Sequence, residues 1–261
     1  MTKVDLNFVE GLTLEERADL VSGTDFWFTA KVSGMDPMLM TDGPSGLRKQ
    51  VNVHSAMDQG IEAVCFPCSA LTASSFDDQM LEKLGEQLGT AARAEKIGVL
   101  LGPGVNIKRS PLAGRNFEYF SEDPLLAGRM GTAYVKGVQS TGVGVSVKHF
   151  ATNNREDQRF TNSSDVDERT LREIYLAQFE RIVKQAHPAT IMCSYNKLNG
   201  VQVSQNQRLL THILRDEWGY QGLVMSDWGA VVDHVAAVKA GLDLEMPGKG
   251  GCLKRRNHSS R

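Results

Sequence analysis

Short apolar runs alternate with longer amphipathic segments along most of this chain. Seven short runs have the length and apolar content of buried strands: 38–41, 62–66, 98–101, 143–148, 189–193, 222–226 and 242–246. Helical periodicity fills much of the sequence between them, at 77–96, 124–139, 167–186, 206–217 and 230–240. Because parallel strands need crossover helices to connect them, this alternation predicts an α/β fold.

A closed βα barrel and an open doubly wound sheet both satisfy this alternation. The glycine-rich segment 102–107 departs from G-x-G-x-x-G and does not lead directly into a helix, so a dinucleotide site is not supported. Polar clusters follow one strand after another, which is typical of the C-terminal mouth of a barrel. We therefore expect an α/β fold of the (β/α)8-like TIM barrel kind, incomplete at its C-terminal end.

Composition and hydropathy argue against two classes of binding partner, nucleic acids and membranes. The chain has 261 residues, a net charge of -2 and 41% apolar residues, which gives no support to nucleic-acid binding. No apolar run reaches the length of about eighteen residues that a membrane span needs. The first residues lack the basic and apolar regions of a secretory signal, so a cytoplasmic location is expected.

The four cysteines, Cys65, Cys68, Cys193 and Cys252, are too few and too scattered for a disulfide framework. Cys65 and Cys68 have the spacing of a redox or zinc motif, but no second cysteine or histidine pair follows them. We favour two buried or half-buried thiols beside a strand end over a redox role. The histidines form no cluster at metal-ligand spacing, so neither a metal nor another cofactor is expected.

Charged, polar and aromatic side chains follow the predicted strands. Together they would give a pocket several cations, a histidine, carboxylates and aromatic rings, a mixture that suits a polyhydroxylated neutral ligand. Hydroxyl groups bind carboxylates and guanidinium groups, while the apolar face of a sugar packs against a ring. The candidates are Asp42, Arg48, Arg115, Lys148, His149, Met192, Tyr195, Asp227 and Trp228.

Asp227 is the strongest candidate for chemistry because it ends the apolar strand 222–226. A rigid strand would hold the carboxylate at the mouth, and nearby cations would keep it ionised, as a nucleophile requires. Spacing alone equally allows Asp227 to cap the helix at 230–240. For two other candidates a purely structural role also stays open. His149 could be a hydrogen-bonded core residue, and Arg115 could be an ion-pair partner of Glu118.

Six strings carry a resemblance to a known family. They are TDGPSGLR (41–48), GPGVNIKRSPLAGRNFEYFSEDP (102–124), VKHFATNN (147–154), MCSYNKLNG (192–200), GYQGLVMSDWGA (219–230) and AGLDLEMPG (240–248). In this order they resemble glycoside hydrolase family 3, specifically its β-glucosidase branch. The resemblance implies a barrel that carries the nucleophile in the sequence S-D-W, which is Asp227 here.

The resemblance also implies roles for the other candidates. Asp42 and Arg48 would hold the far hydroxyls of the terminal glucose, and Arg115, Lys148 and His149 would hold the remaining ones. Met192 and Tyr195 would lie near the nucleophile, Trp228 would pack against the sugar, and Arg159 would support the nucleophile. The implied substrate is a β-glucoside or an oligosaccharide, hydrolysed with retention through a glycosyl-enzyme intermediate.

The family pattern covers residues 1–248 as one barrel domain and stops there. Residues 249–261 form a basic tail that we expect to be disordered. The glutamate that serves such enzymes as general acid lies in a following sandwich domain, so we expect a truncated chain that is weak or inactive alone. An exposed domain interface would favour self-association. Two alternatives stay open: a β-xylosidase-like or arabinosidase-like glycosidase, and a glucose-binding remnant without efficient turnover.

Overall fold

A computed structural model describes residues 6–55 and 58–248 of the chain. The predicted tail at 249–261 lies outside the described residues. Eight strands occur in chain order: β1 (Met40–Asp42), β2 (Val99–Leu101), β3 (Gly144–Phe150), β4 (Ser163–Ser164), β5 (Thr190–Cys193), β6 (Lys197–Leu198), β7 (Val201–Gln202) and β8 (Leu223–Ser226).

The α-helices are α1 (Leu6–Gly11), α2 (Leu14–Leu20), α3 (Ser69–Ala73), α4 (Asp78–Ala94), α5 (Pro124–Ser140), α6 (Glu168–Thr170), α7 (Ala177–Ala186) and α8 (His234–Ala240). Two π-helical segments span Leu171–Tyr175 and Arg208–Glu217. Two short 3-10 turns span Asn116–Glu118 and Val203–Gln205. No helix in the described ranges is long and apolar enough to cross a membrane.

Five strands form one parallel sheet in the order β1-β2-β3-β5-β8. Past β8 the described part of the sheet continues through single parallel bridges, from Met225 to Leu244 and from Glu245 to Ser22. A small second sheet pairs β4 with β6 and β6 with β7. The fold is therefore α/β and TIM-barrel-like, as predicted, although the continuous strand ladder does not close within residues 6–55 and 58–248.

The central strands are buried on both faces, which explains their uninterrupted apolar runs. Every residue of β3 after Gly144 is buried, and all four residues of β5 are buried. Parallel sheets covered by helices on their outer face produce this pattern. Aspartate side chains cap the helices that follow: Asp77 accepts from the Met80 amide at the start of α4, and Asp123 accepts from the Leu125 amide at the start of α5.

Helices α4 and α5 approach closely because glycines line their contact. A Cβ atom on Gly137 of α5 would lie 2.1 Å from the carbonyl oxygen of Glu82 in α4. A Cβ atom on Gly85 of α4 would lie 2.8 Å from the carbonyl oxygen of Tyr134 in α5. Because both obstacles are backbone atoms, the two helices would have to separate to accept a side chain.

Side chains cap the start of two further helices, and one of these caps resolves an ambiguity of the sequence. Thr13 and Glu16 form a capping box at the start of α2. Helix α8 begins at His234, with Asp233 as its N-cap, later than the predicted start at 230. Asp227 is therefore not the helix cap that spacing had allowed.

The strand predicted at 62–66 is wrong, and so is the predicted burial of the two thiols beside it. The segment forms no strand, and Cys65 and Cys68 are both exposed, whereas Cys193 is buried in β5. The apolar run lines a surface cavity, which a hydrophobicity pattern cannot distinguish from a core. The predicted strand 242–246 is reduced to the bridges at Leu244 and Glu245.

Gly137→Ala is expected to lower the free energy of unfolding by about 2–3 kcal/mol, because its methyl group would force α4 and α5 apart. Gly11→Ala is the control, since nothing lies within 4 Å of a Cβ atom there. The control should change stability by less than about 0.5 kcal/mol. Urea unfolding measures both variants, and equal effects at the two positions would contradict the packing described for α4 and α5.

Candidate active site

A cavity of about 1010 Å³ opens at the carboxyl ends of the parallel strands. Barrels commonly place their active sites at this end, because the loops after each strand meet there. All ten residues singled out from the sequence line the cavity: Asp42, Arg48, Arg115, Lys148, His149, Arg159, Met192, Tyr195, Asp227 and Trp228. The structure thus brings them together, while the role of each stays a prediction.

Asp227 directly follows β8, and its backbone is fixed by neighbouring strands. Its amide donates to the carbonyl oxygen of Cys193 at 3.0 Å, and its Oδ1 atom accepts from the Trp228 amide at 2.8 Å. The side chain is only 8% exposed, and its Oδ2 atom has no hydrogen-bond partner among the described residues. One carboxylate oxygen is therefore held in place and the other is left for a ligand.

Two opposing effects act on the ionisation of Asp227. Burial raises its pKa above the ordinary value for an aspartate, while the charges of Arg115 and Lys148 lower it. The Arg115 Nη1 atom lies 3.9 Å from Asp227 Oδ2, a distance that allows attraction without a hydrogen bond. The balance leaves the pKa raised, so the carboxylate is poorly solvated in the folded chain.

Glu118 links the two cations that flank Asp227. Its Oε1 atom accepts from Arg115 Nε at 2.5 Å, and its Oε2 atom lies 3.4 Å from Lys148 Nζ. Lys148 also contacts Asp42 Oδ1 at 3.1 Å. Burial lowers the pKa of Lys148, but the charges of Asp42 and Glu118 outweigh this effect and raise the pKa, so the ammonium stays charged.

His149 is fully buried and its hydrogen bonds fix one tautomer. Its Nε2 atom lies 2.6 Å from Arg115 Nη2, which can only donate, so Nε2 accepts. Its Nδ1 atom lies 3.0 Å from the Tyr119 hydroxyl oxygen, to which the Nδ1 proton is then donated. Burial, together with the charges of Arg115 and Lys148, lowers the pKa of His149 well below its usual value, so the ring is neutral.

Asp42 ends β1, and Arg48 lies on the loop that follows this strand. The Asp42 side chain is 40% exposed, so its second carboxylate oxygen can meet a ligand. Arg48 is exposed as well, and its backbone amide donates to the Asp42 carbonyl oxygen at 3.0 Å. The end of β1 and its loop therefore offer one carboxylate and one guanidinium to the cavity.

Aromatic side chains form the apolar part of the wall. The Trp228 ring lies 5.8 Å from the Trp27 ring, and its Nε1 atom donates to the Phe26 carbonyl oxygen at 2.7 Å. On another side the Arg159 guanidinium lies 4.5 Å from the centre of the Tyr195 ring. These contacts hold both rings in fixed orientations beside Asp227.

Glu156 extends the charge network beyond the predicted residues. Its Oε2 atom accepts from Arg159 Nη1 at 2.9 Å, and its Oε1 atom lies 3.9 Å from Arg115 Nε. The sequence singled out neither Glu156 nor the aromatic pair Phe26 and Trp27, which pack against Trp228. Within residues 6–55 and 58–248 no group of three or more His, Cys, Asp and Glu could hold a metal ion.

The sequence matches the family model described as "Glycosyl hydrolase family 3 N terminal domain" over residues 47–252. It is 52% identical over 252 residues to thermostable beta-glucosidase B of Acetivibrio thermocellus, covering 95% of this chain and 33% of that protein. It is also 52% identical over 244 residues to an exo-alpha-(1->6)-L-arabinopyranosidase of Bifidobacterium longum, covering 92% of this chain and 32% of that protein. The chain spans about a third of the length of these curated relatives.

Solved structures of beta-glucosidases are also similar to this chain. Beta-glucosidase of Kluyveromyces marxianus in complex with glucose superposes with a TM-score of 0.90 and 44% identity, over 94% of this chain and 29% of that one. Beta-glucosidase 3B of Thermotoga neapolitana in complex with alpha-D-glucose superposes with a TM-score of 0.89 and 41% identity, over 98% of this chain and 38% of that one.

Glu118→Gln is expected to lower the free energy of unfolding by about 2–4 kcal/mol, because Arg115 and Lys148 would lose a buried countercharge. The matched control is Glu173→Gln, which breaks an exposed ion pair with Arg169. That control should cost at most about 0.5 kcal/mol. Denaturant unfolding at neutral pH compares them, and a Glu118 variant as stable as the control would mean that the cations need no carboxylate between them.

Asp227→Asn is expected to raise the stability of the chain at neutral pH, because burial raises the pKa of Asp227 in the folded state. The unfolded carboxyl group ionises at about pH 3.9, so wild-type stability falls as the pH rises from there through the raised folded pKa. The asparagine variant lacks this titration.

The two proteins should therefore converge in stability at the acid end and differ by a constant amount above the folded pKa. Urea unfolding over a series of pH values measures this difference. A variant that is less stable than the wild type at neutral pH would show that Arg115 and Lys148 stabilise the ionised carboxylate more than burial penalises it.

Proposed function

The chain belongs to glycosyl hydrolase family 3, whose N-terminal domain it matches, and on this premise we propose that it is the nucleophile-bearing part of a retaining β-glucosidase. The proposed substrate is a terminal β-glucoside of an oligosaccharide or another aglycone. The proposed nucleophile is Asp227. The cytoplasmic location and the self-association expected from the sequence stay predictions.

One observation carries the proposal: the Oδ2 atom of Asp227 is buried, faces the cavity and has no hydrogen-bond partner among the described residues. A buried carboxylate oxygen without a donor costs free energy, so such groups are rare unless a ligand uses them. Its partner oxygen is already held by the Trp228 amide. This geometry supports attack by Oδ2 on an electrophilic carbon in the cavity.

The proposed reaction has two steps. In the first, Asp227 Oδ2 forms a bond to the anomeric carbon while the bond from that carbon to the aglycone oxygen breaks, and the oxygen takes up a proton. In the second, water attacks the same carbon, gives up a proton and releases Asp227 as a carboxylate. The charges of Arg115 and Lys148 oppose the rise in pKa that burial causes at this carboxylate.

The remaining cavity residues suit recognition of a sugar. Asp42 accepts from hydroxyl groups, and Lys148 donates to them from a fully charged ammonium. His149 is neutral and holds its Nε2 atom toward Arg115, so its contribution is to orient that guanidinium as well as to touch the ligand. The Trp228 ring offers an apolar surface on which the face of a pyranose can pack.

The aglycone must receive a proton, and the described carboxylates are poor sources of one. Glu118 is paired with Arg115 and Lys148, and Glu156 is paired with Arg159. Both carboxylates are therefore engaged with cations of the cavity, and neither is assigned the role of acid. We propose that the general acid comes from outside the described residues, so this chain alone turns over natural glucosides weakly.

A pentoside is the second candidate substrate, favoured by one specific finding. A relative that is 52% identical to this chain carries the name of an arabinopyranosidase. Such a sugar lacks the hydroxymethyl group of glucose and would leave the far side of the cavity less filled. Aryl glycosides of glucose, xylose and arabinose, compared on the same preparation, separate these alternatives and also detect a chain that binds glucose without turnover.

An activated aryl β-glucoside with a dinitrophenolate leaving group is expected to leave a glycosyl adduct on Asp227. This leaving group departs without protonation, so the reaction does not need the general acid. Intact mass and peptide mapping locate the adduct. Asp227→Asn should abolish it, whereas Asp157→Asn, at an exposed carboxylate, should not. An adduct on another carboxylate would contradict the assignment of the nucleophile.

A further inference from the structure

The segment 61–68 contributes a wall to the cavity that contains Asp227. Ala63 and Val64 are exposed and Phe66 is half-buried, although the sequence had predicted a buried strand at 62–66. Cys65 and Cys68 are both exposed, and both line this cavity. The third described cysteine, Cys193, is buried in β5. Two thiols are therefore accessible from the space in which a sugar would bind, and one is not.

Accessibility decides which of these thiols a reagent can reach. The thiolate is the reactive form of cysteine, and it must be open to the reagent in order to react. Neither thiol contacts Asp227, and the glycosidase reaction proposed above makes no use of them.

We propose that Cys65 and Cys68 form a modification site for soft carbon electrophiles in the wall of the sugar cavity, and that an adduct there excludes the sugar. The electrophiles are haloacetamides and α,β-unsaturated carbonyl compounds. The proposal rests on the proposed function in one respect, since it takes the cavity to be the place where glucose binds.

The reaction with a haloacetamide is a simple displacement. The thiol proton passes to solvent, the sulfur forms a bond to the carbon that carries the halogen, and the halide leaves with the electron pair of the broken bond. No oxidant or further reactant is needed. Each adduct adds an acetamide group to the cavity wall, where it occupies space that a sugar would otherwise fill.

The test labels the full chain with iodoacetamide under native conditions, with and without glucose. Peptide mapping then gives the extent of labelling at each cysteine, and calorimetric titration gives the glucose affinity of the labelled chain. The double variant Cys65→Ser/Cys68→Ser is treated in the same way. It separates the effect of these two thiols from that of label at any other cysteine, Cys252 included.

Cys65 and Cys68 should be labelled much faster than the buried Cys193, and glucose should slow their labelling. Labelling should weaken glucose binding by a factor of about ten or more, because the adduct occupies the cavity. The double serine variant should bind glucose within about twofold of the wild type and should not respond to the reagent.

Full labelling of both thiols with unchanged glucose affinity would overturn this proposal and leave the proposed function intact. Labelling of Cys193 as fast as the other two would also overturn it, because the thiols would then have no special access. A chain that binds no glucose before labelling would overturn the proposed function and this proposal together, so the two failures are distinguishable.

Discussion

A buried carboxylate beside one buried and one half-buried cation is the interaction on which the rest of this site depends. Asp227 is almost inaccessible to water, so its charge must be balanced by protein groups rather than by solvent. Arg115 and Lys148 supply that balance, and each of them is in turn held by Glu118. Removing Arg115, Lys148 or Glu118 would leave an uncompensated charge in the interior, which ties the geometry of the site to the stability of the fold.

The parallel sheet explains how these charges come together from distant parts of the sequence. Asp42, Lys148 and Asp227 lie at the carboxyl ends of three strands that belong to one sheet. Rigid strands fix the backbone beneath each side chain, and the glycine contact between α4 and α5 keeps these two outer helices close to each other. The loops can then differ in sequence and shape without displacing the reacting groups.

Much of this architecture could be predicted, because buried parallel strands leave uninterrupted apolar runs that end in polar residues. The position of Asp227 after β8 followed from that pattern alone. The strand predicted at 62–66 is wrong for a physical reason, because an apolar wall of a ligand cavity has the same composition as a core strand. The contacts of Phe26 and Trp27 with Trp228 could not be predicted, since about 200 residues separate them and no local pattern records the pairing. Glu118 could be predicted only as a partner of Arg115, because its second contact, to Lys148, depends on the fold.

The most direct test of the central claim is a crystal structure of this chain soaked with glucose, in which the distance from the anomeric carbon to Asp227 Oδ2 is measured. We expect a distance of about 3–3.5 Å, with the far hydroxyls directed toward Asp42 and Arg48. Glucose bound instead in the separate cavity lined by Arg109 and Tyr175, or with its anomeric carbon directed away from Asp227, would contradict the assignment of Asp227 as the nucleophile.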